Sequence, residues 1–86
     1  MPEDRFAFFS KEYAQALQAL QAIENQASTL MVLGGSDELR TFIAQFLEMA
    51  RRTKAMADDA EEAHFAEWFG ELIEKAEALQ EVVGSS

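Results

Sequence analysis

Leu33-Gly34-Gly35-Ser36-Asp37-Glu38 is the stretch that decides the fold. Glycine directly after an apolar-periodic segment supplies the left-handed conformation that closes a helix. Ser36 followed by two acids is a helix start, with negative charge at the positive end of the helix dipole. The stretch is therefore a turn between two helices, and the chain reverses direction over residues 34–36.

Upstream of it, Phe6, Phe9, Tyr13, Ala16, Leu20, Ile23, Ala27 and Leu30 recur at alternating spacings of three and four. That pattern predicts one long amphipathic helix with a narrow seam, over about residues 3–33. Pro2 falls in the first turn, where a helix tolerates proline, and Glu3 and Asp4 add favourable charge there. Downstream, Leu39, Phe42, Phe46, Met49, Thr53, Met56, Ala60 and Ala63 continue a heptad, and Ile43 and Leu47 widen its stripe.

The phase then moves to Phe65, Trp68, Phe69, Leu72, Ala76, Leu79 and Val83. Such an offset marks either a stutter in one helix or a junction between two. Asp58-Asp59-Ala60-Glu61 favours a junction, with Asp58 as cap and Glu61 closing a capping box. Against it, residues 50–63 hold no Gly or Pro and are nearly all good helix formers. Length bears on the choice: a first helix of about 30 residues spans roughly 45 Å, whereas an unbroken second one of about 47 would span roughly 70 Å. The overhang would leave Phe65, Trp68, Phe69 and Leu72 without an intrachain partner. Two all-α architectures follow. One is a three-helix bundle with a break near residues 54–59 and helices over about 3–33, 37–56 and 59–83. The other is a long antiparallel hairpin that dimerises into a four-helix-type bundle. Either way residues 1–86 make a single helical domain, ending in a short tail at Gly84-Ser85-Ser86, and no alternating strand pattern is present.

Composition narrows the function. The 86 residues carry seven Lys+Arg and sixteen Asp+Glu, a net charge of -9, with one His and no Cys. Without Cys there is no disulfide framework, thiolate metal site or Cys nucleophile. The acidic balance disfavours direct binding to nucleic acid or to an anionic membrane. The longest aliphatic run, Leu30-Met31-Val32-Leu33, is far short of a bilayer span, and the amino terminus lacks the basic start of a secretory signal. A cytoplasmic location is the default expectation. A hydrophobic fraction of 49% is nonetheless too high for a disordered acidic tail. A chain this short buries only about 60% of the surface that its unfolded form exposes, so a second copy or a partner would help it.

Charge is unevenly placed. Through residue 54 there are six bases and seven acids; from residue 55 onward there is Lys75 against nine acids. Glu67, Glu71, Glu74, Glu77 and Glu81 fall opposite the apolar stripe of the last helix and form an acidic ridge. That ridge is a solvated face, a docking surface for a basic partner, or a mimic of the phosphate backbone. Arg51-Arg52-Thr53-Lys54 is too small a cluster to recruit nucleic acid against the overall charge, and is expected to meet the acidic segment of another subunit.

No nucleophile elbow, phosphate loop or dinucleotide fingerprint occurs, and carboxylates in a solvated stripe are poor ground for acid–base chemistry. Catalysis and cofactors are not expected. Glu61 and His64 form a Glu-x-x-His pair of the kind found in di-iron bundles, but such sites need further inward carboxylates, and only Glu24 lies near the first seam. His64 is expected at a core boundary beside Trp68, and a dimer-bridged metal site is a distant alternative. Phe6, Phe9, Phe65 and Trp68 are expected in the core; rings left exposed would anchor an interface, Phe8 and Phe69 first among them.

These observations predict a non-catalytic protein–protein interaction module, such as a small adaptor, chaperone-like or regulatory helical protein, associating as a homodimer. The alternative is an acidic inhibitor that mimics nucleic acid. Phe8, Phe65, Trp68, Phe69, Glu67, Glu71 and Glu74 are the candidate partner-binding residues.

Overall fold

A computed structural model of the chain describes residues 2–85, with side chains described over 4–84. Met1 and Ser86, the latter expected in the terminal tail, lie outside the described residues. Three helices follow one another: α1 (Pro2–Val32), α2 (Ser36–Asp59) and α3 (Ala63–Ser85). The three-helix alternative is the one adopted, and no strand occurs among the described residues. The bundle runs up, down and up. At one end the Arg5 guanidinium donates to the Ala60 carbonyl at 3.0 Å, and at the other Arg40 donates to the Val83 carbonyl at 3.5 Å. The rod so formed has principal extents of 47 × 18 × 15 Å.

The first turn forms where the glycines stand, and each glycine is there for a different reason. Gly34 adopts φ +83°, in the left-handed region. Gly35 donates its N–H to the Leu30 carbonyl at 2.6 Å, the long-range bond of a Schellman ending. A Cβ on Gly35 would lie 2.9 Å from Leu30 Cδ2 and 3.3 Å from the Leu30 carbonyl oxygen. Ser36 is the first residue of α2 and not its cap; Gly35 takes the cap position without a side-chain hydrogen bond, and Asp37 and Glu38 occupy the first turn.

The second turn lies at residues 60–62, later than the expected 54–59. Good helix formers carry α2 through Asp59, helped by an i,i+4 pair between Lys54 Nζ and Asp58 Oδ2 at 3.2 Å. The capping box is thereby corrected. Asp58 is inside α2, and its carbonyl accepts from the Glu61 N–H at 3.1 Å, while the Glu62 N–H donates to the Ala57 carbonyl at 2.9 Å. Those two bonds are a complete Schellman motif with Glu61 in the position that usually holds glycine, at φ 60°. α3 then begins at Ala63, four residues later than expected, and runs through Gly84 to Ser85.

The core takes Ala16, Leu20 and Ile23 from α1, Leu39, Ile43, Phe46 and Leu47 from α2, and Phe65, Phe69, Leu72 and Val83 from α3. α2 sits between two neighbours, so it buries a wider and rotated arc compared with the heptad seam: Leu39, Ile43, Phe46, Leu47, Ala50, Thr53 and Ala57. Phe42 and Met56, expected in that seam, are exposed. Thr53, a polar residue within this arc, satisfies its hydroxyl by donating to the Met49 carbonyl at 3.0 Å.

Two glycines and one glutamate make this backbone testable. Gly70 lies inside α3, and a Cβ there would meet only Lys54 Cε at an ordinary 3.5 Å. Gly70→Ala should therefore stabilise the protein by about 0.5–1 kcal/mol. Glu61→Gly should also stabilise it, by up to about 1 kcal/mol, because the left-handed conformation no longer costs a side chain. Gly34→Ala should destabilise it by about 1 kcal/mol, for the converse reason. Urea denaturation followed by circular dichroism would read all three.

Candidate functional site

The aromatic residues at the start of α1 and at the start of α3 meet in one cluster. The up-down-up path brings these two segments to the same end, and the turn at 60–62 sets α3 against α1 there. Phe9 stacks on Phe65 with ring centroids 5.6 Å apart. Tyr13 lies 5.4 Å from Trp68 and 5.7 Å from Phe69, and Phe6 contacts the edge of Phe65 at 5.6 Å. These spacings fall within the range favoured by offset and edge-to-face aromatic pairs.

This packing redistributes the candidate anchors. Phe69 has no exposed surface and Phe65 is 3% exposed, so neither ring reaches the outside of the folded chain. Phe65 lies in the core as expected, and Phe69, the first-named anchor, is corrected to core; as α1 covers both, neither serves as an anchor on the folded chain. Phe6, expected in the core, is 61% exposed at the rim of the same cluster. Trp68 is 42% exposed and Phe8 43%, and these two keep surface with which to meet a partner. Phe8 rests against Phe9, with ring centroids 5.2 Å apart.

A second apolar region was not anticipated from the sequence. Between α1 and α2 lies an open groove of about 410 Å³, floored by Ala19, Ala22 and Ile23 and walled by Phe42, Phe46 and Met49. Gln26 and Gln45 edge it, and no charged residue lines it. Phe42, Met49 and Met56 follow at seven-residue intervals along α2, and Phe8 lies eighteen residues, five full turns, before Gln26 on α1. On α2 the exposed Met56 carries apolar surface from the groove toward the aromatic end, whereas on α1 Lys11, Glu12 and Gln15 separate the groove from Phe8. The signal of this apolar region lies in the sequence at Phe42 and Met56, whose heptad spacing is equally that of core positions.

Charge is arranged on other surfaces. Glu67, Glu71 and Glu74 are all exposed on α3. Glu77 accepts from Arg51 at 2.8 Å, tying α3 to α2. Arg52 pairs with Glu48 at 3.2 Å and Lys54 with Asp58. The basic cluster expected to meet another subunit thus finds acids within its own chain: Arg52 and Lys54 one turn away on α2, and Arg51 on the adjacent α3. Such half-exposed pairs contribute little each, about 0–1 kcal/mol.

Glu61 sits in the turn and His64 is the second residue of α3, so the pair does not share a helical face. His64 is exposed, with its ring 6.4 Å from that of Trp68, the neighbour expected for it. Among the described residues no group of three or more His, Asp or Glu side chains is placed to hold a metal ion. None of the helices is long and apolar enough to cross a membrane. Comparison with protein-family models, with curated proteins and with solved structures returns no match.

The cluster predicts a graded response to ring removal. Phe65→Ala should cost about 3–5 kcal/mol, the range for emptying a buried aromatic site. Phe6→Ala, which removes a mostly exposed ring, should cost about 1 kcal/mol or less. Chemical denaturation of the two variants side by side would check the ordering.

Proposed function

We propose that this chain is a non-catalytic protein–protein interaction module that associates with a second copy of itself. The observation that carries the proposal is apolar surface in excess of what the core uses. Phe69, Leu20, Leu39, Ile43, Leu72 and Val83 are fully buried, yet Phe8, Phe42, Met56 and Trp68 remain over two-fifths exposed. Large exposed apolar side chains in this number on a small protein favour association. Size adds to it, since a chain of 86 residues gains from burying more surface than it can cover alone. The net charge of -9 makes direct nucleic-acid contact unfavourable, so the partner is protein.

Sedimentation velocity across a range of protein concentrations tests this reading. A reversible monomer–dimer equilibrium is expected, with the dimer retained at moderate salt because the surface that drives it is apolar. A particle that stays monomeric at every concentration would refute it.

A second reading rests on a separate observation, the exposed carboxylates of Glu67, Glu71 and Glu74 on α3. In that reading the ridge occupies a basic, nucleic-acid-binding protein. Binding would then weaken steeply with salt, and joint replacement of the three glutamates by glutamine would abolish it. A partner that tolerates the triple replacement excludes ridge mimicry.

A further inference from the structure

We propose that the α1/α2 face is the homodimer interface, with the two copies antiparallel about a twofold axis passing close to Gln45. This rests on the self-association proposed above and specifies its geometry. Three features carry it.

The first is where the charge lies. The second turn and α3 together sum to -6, whereas α1 and α2, where the bases other than Lys75 lie, together sum to only -3. Docking through the α1/α2 face leaves both α3 helices on the outside of the dimer, with the greatest separation between the two acidic ridges. Docking through α3 would bring ridge against ridge, and like charges brought together cost several kcal/mol. The groove itself is lined by apolar and amide side chains only, so no charge is buried in it.

The second is complementarity along α2. Glu38 and Arg52 are each seven residues, about two turns, from Gln45, and both are exposed beside the apolar line of Phe42 and Met49. In an antiparallel crossing at Gln45 each Glu38 meets Arg52 of the other copy, twice over. A parallel pairing would set Arg52 beside Arg52 and Glu38 beside Glu38. Arg52 pairs with Glu48 one turn away, an exposed contact that gives way easily.

The third is size. A long face of a rod measuring 47 × 18 × 15 Å is on the scale of the roughly 800 Å² per partner buried in standard interfaces. The small side chains of Ala19 and Ala22 leave the hollow into which Phe42 and Met49 of the second copy fit, and the twofold repeats the exchange.

The chain has no cysteine, so single-cysteine variants report only on the engineered position. Gln45→Cys should form a disulfide-linked dimer quickly on mild oxidation, and Glu74→Cys, on the outer face of α3, should not. Ala22→Arg should weaken dimerisation at least about tenfold in sedimentation, with helix content unchanged. Val82→Glu, an exposed position on α3, should leave it unaltered. Glu38→Arg and Arg52→Glu should each weaken it by about fivefold, and the double exchange should restore it. A monomeric wild-type protein would overturn both this interface and the self-association on which it rests. Association that survives Ala22→Arg but is lost in Val82→Glu would overturn the interface alone. Failure of the double exchange to restore what both single changes weaken would overturn the antiparallel arrangement.

Discussion

The contact between Phe9 and Phe65, with Tyr13 against Trp68 and Phe69, is what the rest of the bundle depends on. Without it, the rings of α3 would project from the end of a long helix into water. Burying one such side chain is worth roughly 1.5–3 kcal/mol, a substantial fraction of the total stability of a small domain. Here Phe65 and Phe69 are covered within the chain, by α3 turning back alongside α1, and that requires the chain to break near residue 60. The break has an unfavourable residue at its centre, Glu61 at φ 60°. A left-handed glutamate costs about 1 kcal/mol and persists because the aromatic burial it permits is several times larger. The tertiary contact sets the turn, and the turn's own sequence does little to favour it.

The same hierarchy accounts for what was legible beforehand. Gly34 and Gly35 announce the first turn because each meets a local requirement that only glycine satisfies, one of conformation and one of space. The second turn carries no such residue. Asp58 and Glu61 suggested a cap, but capping signals compete with the high helix propensity of Arg51 to Met56, and propensity extended α2 through Asp59. The need to cover four large apolar side chains left two solutions, a break in the chain or a second copy paired with a long hairpin. That need did not set the location of the break either, since several positions would have met it.

Burial was least legible where one helix serves two neighbours. A heptad describes a helix packed on one line of contact, and it placed Phe42, Met49 and Met56 of α2 on that line. With α1 on one side and α3 on the other, the buried arc centres on Ile43, Ala50 and Ala57, which rotates Phe42 and Met56 out of the core. The aromatic rim differs for another reason: α1 carries Phe6, Phe8 and Phe9 within one turn, and only Phe9 faces inward. Sequence spacing identifies which residues are apolar and periodic, whereas the crossing of three helices decides which of them the interior has room for.

That displaced stripe also explains why the groove lies where it does. A three-helix rod has three furrows, and its side chains fill each to a different depth. At the α1/α3 furrow the rings of Tyr13 and Trp68 fill the space, and at α2/α3 the stem of Lys54 lies beside Gly70 while Arg51 reaches Glu77. At α1/α2 the inward-leaning residues of α1 are Ala19 and Ala22, too short to reach across, and α2 opposes them with Phe42 and Met49 standing at the edge. The hollow is thus a consequence of pairing the small-residue side of α1 with the large-residue side of α2. Two such faces are complementary to each other when one is turned end for end, because each then offers large side chains to the other's small ones. The larger share of the charge that would oppose the approach lies on α3 and the second turn, away from that face.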